Sequence, residues 1–118
     1  AALALSSCAA QEPDISHFER PQESGDVVED RQDLLTGVDE ASMRLLATDA
    51  QSTFYAARQE TSGDLCVIEV PAGSPLPALS CTSGPTVTVH SGEVEYAFGP
   101  RSAPDDGWVE LADRFWKK

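Results

Sequence analysis

Basic residues are scarce in this chain of 118 residues: eight Lys and Arg stand against twenty Asp and Glu, giving a net charge of −12 and an isoelectric point near 4.3. Nucleic-acid binding draws its affinity from cations that neutralise phosphates, so that class is set aside. No apolar run approaches the roughly 20 residues of a membrane-spanning helix. Motifs that carry chemistry in themselves are missing too: the sequence has no phosphate-binding loop, dinucleotide fingerprint, nucleophile elbow, His-Glu-x-x-His or calcium loop. With no such pattern, the sequence nominates no catalytic residue, no metal and no cofactor, and the expectation is a protein that is not an enzyme. What is present is enough for one small domain, since domains run to about 100 to 150 residues. A hydrophobic content of 41% sets the chain apart from wholly disordered sequences.

The charge is unevenly spread. Residues 9–40 hold ten acids and two bases, a net of −8, and the remaining ten acids face six bases, a net of −4. Residues 9–25 offer only Ile15 and Phe18 as sizeable apolar side chains. Such a stretch buries too little surface to offset its ordering entropy, and it reads as a flexible, self-repelling acidic tether. Three regions follow: residues 1–7 as the tail of a signal peptide, 8–25 as a disordered tether, and 26–118 as a single β-rich domain.

The first region is an apolar run ending in small residues and a cysteine, Ala1-Ala2-Leu3-Ala4-Leu5-Ser6-Ser7-Cys8. Leu5-Ser6-Ser7-Cys8 resembles a bacterial lipobox, in which an aliphatic residue and two small ones precede a cysteine that is lipidated and becomes the mature N-terminus. The resemblance implies a lipoprotein with diacylglyceryl and palmitate-type chains on Cys8, anchored at the extracytoplasmic face of the cell membrane. Several acyl chains exceed the two signals that stable anchoring needs, at about 0.8 kcal/mol per buried methylene. The chemistry of the thiol agrees, because an exposed cysteine outside the cytosol oxidises or pairs between chains unless it is blocked.

The other two cysteines lie in short β-branched or small-residue runs, Leu65-Cys66-Val67-Ile68 and Leu79-Ser80-Cys81, on either side of a proline-rich loop. Two thiols are too few for a closed zinc site, and their spacing is not that of a redox Cys-x-x-Cys motif. A structural disulfide between Cys66 and Cys81 is the expectation, in keeping with an oxidising compartment.

Strand signals dominate the rest, placing the chain in the mainly β class as a small antiparallel barrel or sandwich of about six or seven short strands. The clearest hairpin joins residues 86–90 to 93–98 around Ser91-Gly92, with Val89 opposite Val94, Val87 opposite Tyr96 and His90 opposite Glu93. Further strands are expected at residues 43–48, 53–58, 65–70, 78–82 and 108–112. Asp26 is suited to cap one N-terminal helix over residues 26–35, with 43–47 readable as strand or helix. The series of Leu5-Ser6-Ser7-Cys8, an acidic tether, Phe54-Tyr55-Ala56-Ala57-Arg58, Gly63-Asp64-Leu65-Cys66-Val67-Ile68 and Leu79-Ser80-Cys81 resembles small lipoproteins of actinobacteria. That family has no established activity, so the resemblance implies location and architecture and no site.

Remaining polar candidates have ordinary readings. His90 suits a surface cross-strand pair, His17 has no role, and Asp105-Asp106-Gly107 is turn chemistry that lacks the six or more oxygens of a cation site. Phe115 and Trp116, with Lys117 and Lys118 behind them, suit either a core closure or a membrane-touching end. The functional expectation is a non-catalytic binding or interaction module at the cell envelope, partnered by the membrane through Cys8 and by an envelope protein or ligand of unknown identity. A structural or accessory subunit of an envelope complex comes second, and a small hydrolase third.

Overall fold

The computed structural model describes residues 15–28, 35–74 and 76–118. Eight strands lie among them, in two antiparallel sheets. The first sheet contains β1 (Arg44–Asp49), β2 (Ser52–Arg58), β3 (Leu65–Pro71) and β4 (Ala78–Thr82) in sequential order. The second contains β5 (Val87–Ser91), β6 (Val94–Phe98), β7 (Val109–Ala112) and β8 (Phe115–Lys117), in the order β5-β6-β8-β7. The two sheets form a sandwich, as expected for short strands separated by turn residues.

Period-two patterning decides what lies between them. Phe54 and Ala56 of β2, Val67 of β3, Tyr96 and Phe98 of β6 and Phe115 of β8 are buried in one cluster between the sheets. The ring centroids of Phe54 and Tyr96 are 4.4 Å apart, and those of Phe54 and Phe115 are 5.2 Å apart. The alternate residues Ala57, Cys66 and Ile68 face the other way, onto a second cluster with Val28, Leu35, Val38 and Met43. The two inner strands of the first sheet, β2 and β3, are therefore covered on both faces. This explains why Leu65, Cys66, Val67 and Ile68 are all buried and why β3 reads as a continuous apolar run and not an alternating one.

Four features differ from the sequence reading. The β5–β6 hairpin turns at Gly92-Glu93, so Ser91 pairs with Val94, Val89 with Tyr96 and Val87 with Phe98. Gly92 at φ 65° takes the first central position of a two-residue turn, which a glycine favours. Because the shift is two residues along β6, the same side chains still face the core. Phe115, expected only as a core or interface residue, begins an additional strand, β8, between β6 and β7, and is fully buried.

Among the described residues a short N-terminal helix, α1 (Ser16–Glu19), precedes the expected position, and residues 27 and 28 of the expected helix are not helical. Asp26 ends a short 3-10 turn, and Val27 is already extended. The Asp26 carboxylate accepts from the main chain behind it, at Glu23 N, and from Leu45 N of β1. Residues 29–34 of the expected helix lie outside the described residues. Of the tether read at 8–25, residues 15–25 lie on the sandwich, whereas 8–14 and Cys8 itself are outside the described residues. Ile15 is 4% exposed and joins the core cluster, with Phe18 packed beside it. Two apolar residues one helical turn apart supply the apolar contact of an otherwise polar segment, a pairing that composition averaged over 17 residues obscures.

The β1–β2 hairpin turns on Ala50 and Gln51, both at positive φ, 49° and 72°. That conformation costs a residue with a Cβ roughly 1 kcal/mol each, and Asn-Gly is the pair that adopts it most readily. The double change Ala50→Asn, Gln51→Gly is expected to stabilise the domain by about 1 to 2 kcal/mol in urea unfolding. An unchanged or lower midpoint would contradict the strain.

Candidate functional site

Three polar assemblies tie the sandwich together, and a cleft opens at one end of it. The first assembly clasps the N-terminal segment to β1. The Arg20 guanidinium forks onto the Asp26 carboxylate at 2.6 and 2.7 Å, and Leu45 N donates to the same carboxylate at 2.8 Å. Arg44, 7% exposed, donates to the main-chain oxygens of Arg20, Ala41 and Met43. The hydrogen bonds from Arg20 hold the Asp26 carboxyl far below its ordinary value of 3.8, against the opposing effect of burial, with the Leu45 and Glu23 amides adding to the depression.

A depressed carboxyl means that the unfolded chain takes up the proton first, so stability falls as the pH drops below about 4. Chemical unfolding between about pH 5 and pH 2 should show this loss, and Asp26→Asn should be less stable at neutral pH with a flatter acid limb. Equal slopes for the two proteins would remove Asp26 from the acid response.

The second assembly joins the two sheets. Tyr96 Oη donates to Asp49 Oδ2 at 2.7 Å, and Lys117 Nζ lies 3.0 Å from the same oxygen. The tyrosine and lysine together lower the Asp49 pKa, and burial with the Asp49 charge beside it keeps Tyr96 protonated well above its ordinary range. In the third, the hydroxyls of Ser52 and Ser91 both donate to Glu69 Oε2 at 2.8 Å, satisfying a carboxylate that is 6% exposed.

The cleft, about 180 Å³, lies where the β2–β3 turn, the β4–β5 link and the end of β6 meet. Arg58, Asp64, Ser83, Gly99 and Arg114 line it, with Ile15 at its border. Arg58 is held by a bond to Gly63 O and by stacking over the Phe18 ring, 4.6 Å from the centroid. Arg114 Nη1 donates to Gly99 O at 2.8 Å. Pockets for drug-sized ligands occupy roughly 300 to 1,000 Å³, so this cleft is sized for one side chain or small group. None of its residues is a candidate site residue in the sequence reading; Gly99-Pro100 directly after a strand was the available signal, since a glycine there marks a close backbone approach.

The residues the sequence did single out are not gathered at this cleft. Cys66 and Cys81 are joined as a cross-strand disulfide between β3 and β4. His90 is exposed and lies 4.0 Å from Glu95, its cross-strand neighbour in place of Glu93. His17 Nε2 is 2.8 Å from Asp113 O, which fixes α1 to the β7–β8 turn. Asp105 receives Trp108 Nε1 and Lys118 Nζ, and Trp116 Nε1 donates to Pro100 O, so both tryptophans serve the loop between β6 and β7. Among the described residues, no helix is long and apolar enough to cross a membrane. No protein-family model matches the chain, and no curated protein or solved structure is significantly similar to it.

Proposed function

We propose that this chain is a small lipoprotein of the actinobacterial type, held at the extracytoplasmic face of the cell membrane through lipids on Cys8, whose β-sandwich serves as a non-catalytic binding or interaction module of the envelope. The observation that carries the reading is the use of the cysteines. Cys66 and Cys81 are consumed by a disulfide, which suits an oxidising compartment, and the third cysteine, Cys8, is the one that ends Leu5-Ser6-Ser7-Cys8. A thioether at Cys8 would leave no free thiol in the protein. Further support comes from where the displaced titratable groups are used. Arg20 and Asp26 serve the N-terminal clasp, Asp49 and Tyr96 the junction of the sheets, and Asp105 the contacts of Lys118 and Trp108 in the β6–β7 loop.

The experiment is mass spectrometry of the membrane fraction after expression of the full-length precursor in a bacterial host. Cleavage before Cys8 and acyl chains on its sulfur and amine are expected, with partition into the detergent phase. Cys8→Ser should abolish lipidation, since serine has no thiolate to attack the lipid donor. An unmodified Cys8, or a mature N-terminus elsewhere, would end the proposal. The second reading, a structural subunit of an envelope complex, is favoured by the exposure of Leu76 and Leu79, 64% and 38%, next to the edge of the first sheet.

A further inference from the structure

Each sheet ends in two edge strands, and two of the four are bulged, which is a device against further pairing. β1 is bulged between Leu45 and Ala47, and β7 between Glu110 and Ala112. β5 has a continuous register and no Asp, Glu, Lys or Arg of its own, but its exposed His90 lies 4.0 Å from the carboxylate of Glu95 on the neighbouring strand, so a second acidic copy arriving at this edge meets a negative charge. Bulges and exposed charges are common means of keeping an edge from recruiting another strand.

β4 has neither. Its register with β3 is continuous from Leu65↔Thr82 to Glu69↔Ala78, and its sequence, Ala78-Leu79-Ser80-Cys81-Thr82, has no charge and no proline. The charge-free stretch is much longer than the strand. Residues 70–92 contain no Asp, Glu, Lys or Arg in a chain that is 24% charged.

The register also shows which main-chain groups face outward. Opposed residues in an antiparallel pair alternate between close pairs, which exchange no hydrogen bonds, and wider pairs, which do. Cys66 and Cys81 have Cα atoms 4.0 Å apart, a close pair, and Ile68↔Leu79 is the equivalent pair two residues on. The N–H and C=O groups of Leu79 and Cys81 therefore point away from β3, to the open edge. Among the described residues, no turn or loop hydrogen bond reaches them.

We propose that β4 is a self-association edge, pairing antiparallel with β4 of a second copy about a two-fold axis at Ser80. In that register Leu79 of each copy stands opposite Cys81 of the other, and the two outward pairs exchange roughly four main-chain hydrogen bonds. The two four-stranded sheets become one continuous sheet of eight. Charge selects this occupant. A surface of net charge −12 repels another copy almost everywhere, and the neutral stretch is where a like-charged partner can approach. A basic partner would gain nothing from this edge and much from the acidic remainder. An isologous contact also closes on itself, so it ends at a dimer and not a fibre.

Sedimentation velocity on the chain carrying Cys8→Ser, which removes any intermolecular disulfide, tests the proposal independently of the anchor. A dimer that forms with rising concentration is expected. Leu79→Lys, which places two ammonium groups across the axis, should weaken it by about tenfold or more. Val109→Lys on the bulged β7 edge should leave it unchanged. Hydrogen exchange on the protein without either lysine gives a readout that needs no edge variant: the Leu79 and Cys81 amides should gain protection as concentration rises. A monomer at every concentration, or a dimer sensitive to Val109→Lys and not to Leu79→Lys, would overturn the proposal. So would a strict monomer whose Leu79 and Cys81 amides are protected only by an added alternating Thr-Val peptide, since that would assign the edge to a foreign strand.

Discussion

Gly99→Ala is expected to destabilise the domain by about 3 kcal/mol or more, a large share of the 5 to 15 kcal/mol that small domains possess. Gly99 stands at φ 129°, a region L-residues rarely enter, and a methyl group there would collide with the Pro85 carbonyl oxygen. It would also come within 3.2 Å of the Pro85 carbonyl carbon and 3.4 Å of Thr86 Cα. Main chain lies on that side, so no flexible side chain can swing away. The close approach is held by paired bonds, Gly99 N to Arg114 O and Arg114 Nη1 to Gly99 O, each at 2.8 Å. Gly84→Ala is the matched control, because its added methyl would meet only Thr82 Oγ1, at 3.5 Å. Guanidinium unfolding of both variants decides the point, and equal midpoints would show that the crossing at Gly99 relaxes freely.

Replacing both Cys66 and Cys81 by alanine should cost about 2 to 4 kcal/mol. The two residues are 15 apart and lie in register on β3 and β4. Most of the loss should come from the loop closure that the cross-link spares the unfolded chain, with a smaller part from the packing of Cys66, which is fully buried in the second core cluster. Reduction of the parent protein separates these contributions, since it opens the loop and keeps both sulfurs. A double variant as stable as the oxidised parent would mean that the β3–β4 register holds without the bond.

The disulfide and most strands were legible because both depend on local information. Alternation in Thr86-Val87-Thr88-Val89 and Glu95-Tyr96-Ala97-Phe98 marks one buried face whatever the partner, and two cysteines in short strands around a turn-rich loop have few other fates. The turn at Gly92-Glu93 was harder, because Ser91-Gly92 and Gly92-Glu93 both offer a glycine and place the same side chains inward. β8 was missed as a strand since Phe115-Trp116-Lys117 is three residues long, and only its insertion between β6 and β7 makes it one. The clasp and the cleft were hidden for a different reason. Arg20 meets Asp26, Leu45 meets Asp26, and Arg114 meets Gly99 through contacts that no spacing in the sequence announces. Arginines in a strongly acidic chain look like surface charge balance until the carbonyls they serve are seen.

The docking of Ile15 in the core changes the reach of the proposed anchor. A tether running from Cys8 to residue 25 would let the domain wander well above the bilayer. With Ile15 fixed, six residues lie between it and Cys8, and the seven steps of chain reach about 25 Å at most when fully extended. That is a short leash, close to the thickness of the domain it holds. It would keep the α1 end turned toward the lipid and limit tumbling to a cone about that end. Copies leashed in this way share one height above the headgroups, so their sheet edges would meet in a plane, and encounters that in solution must search three dimensions would search two.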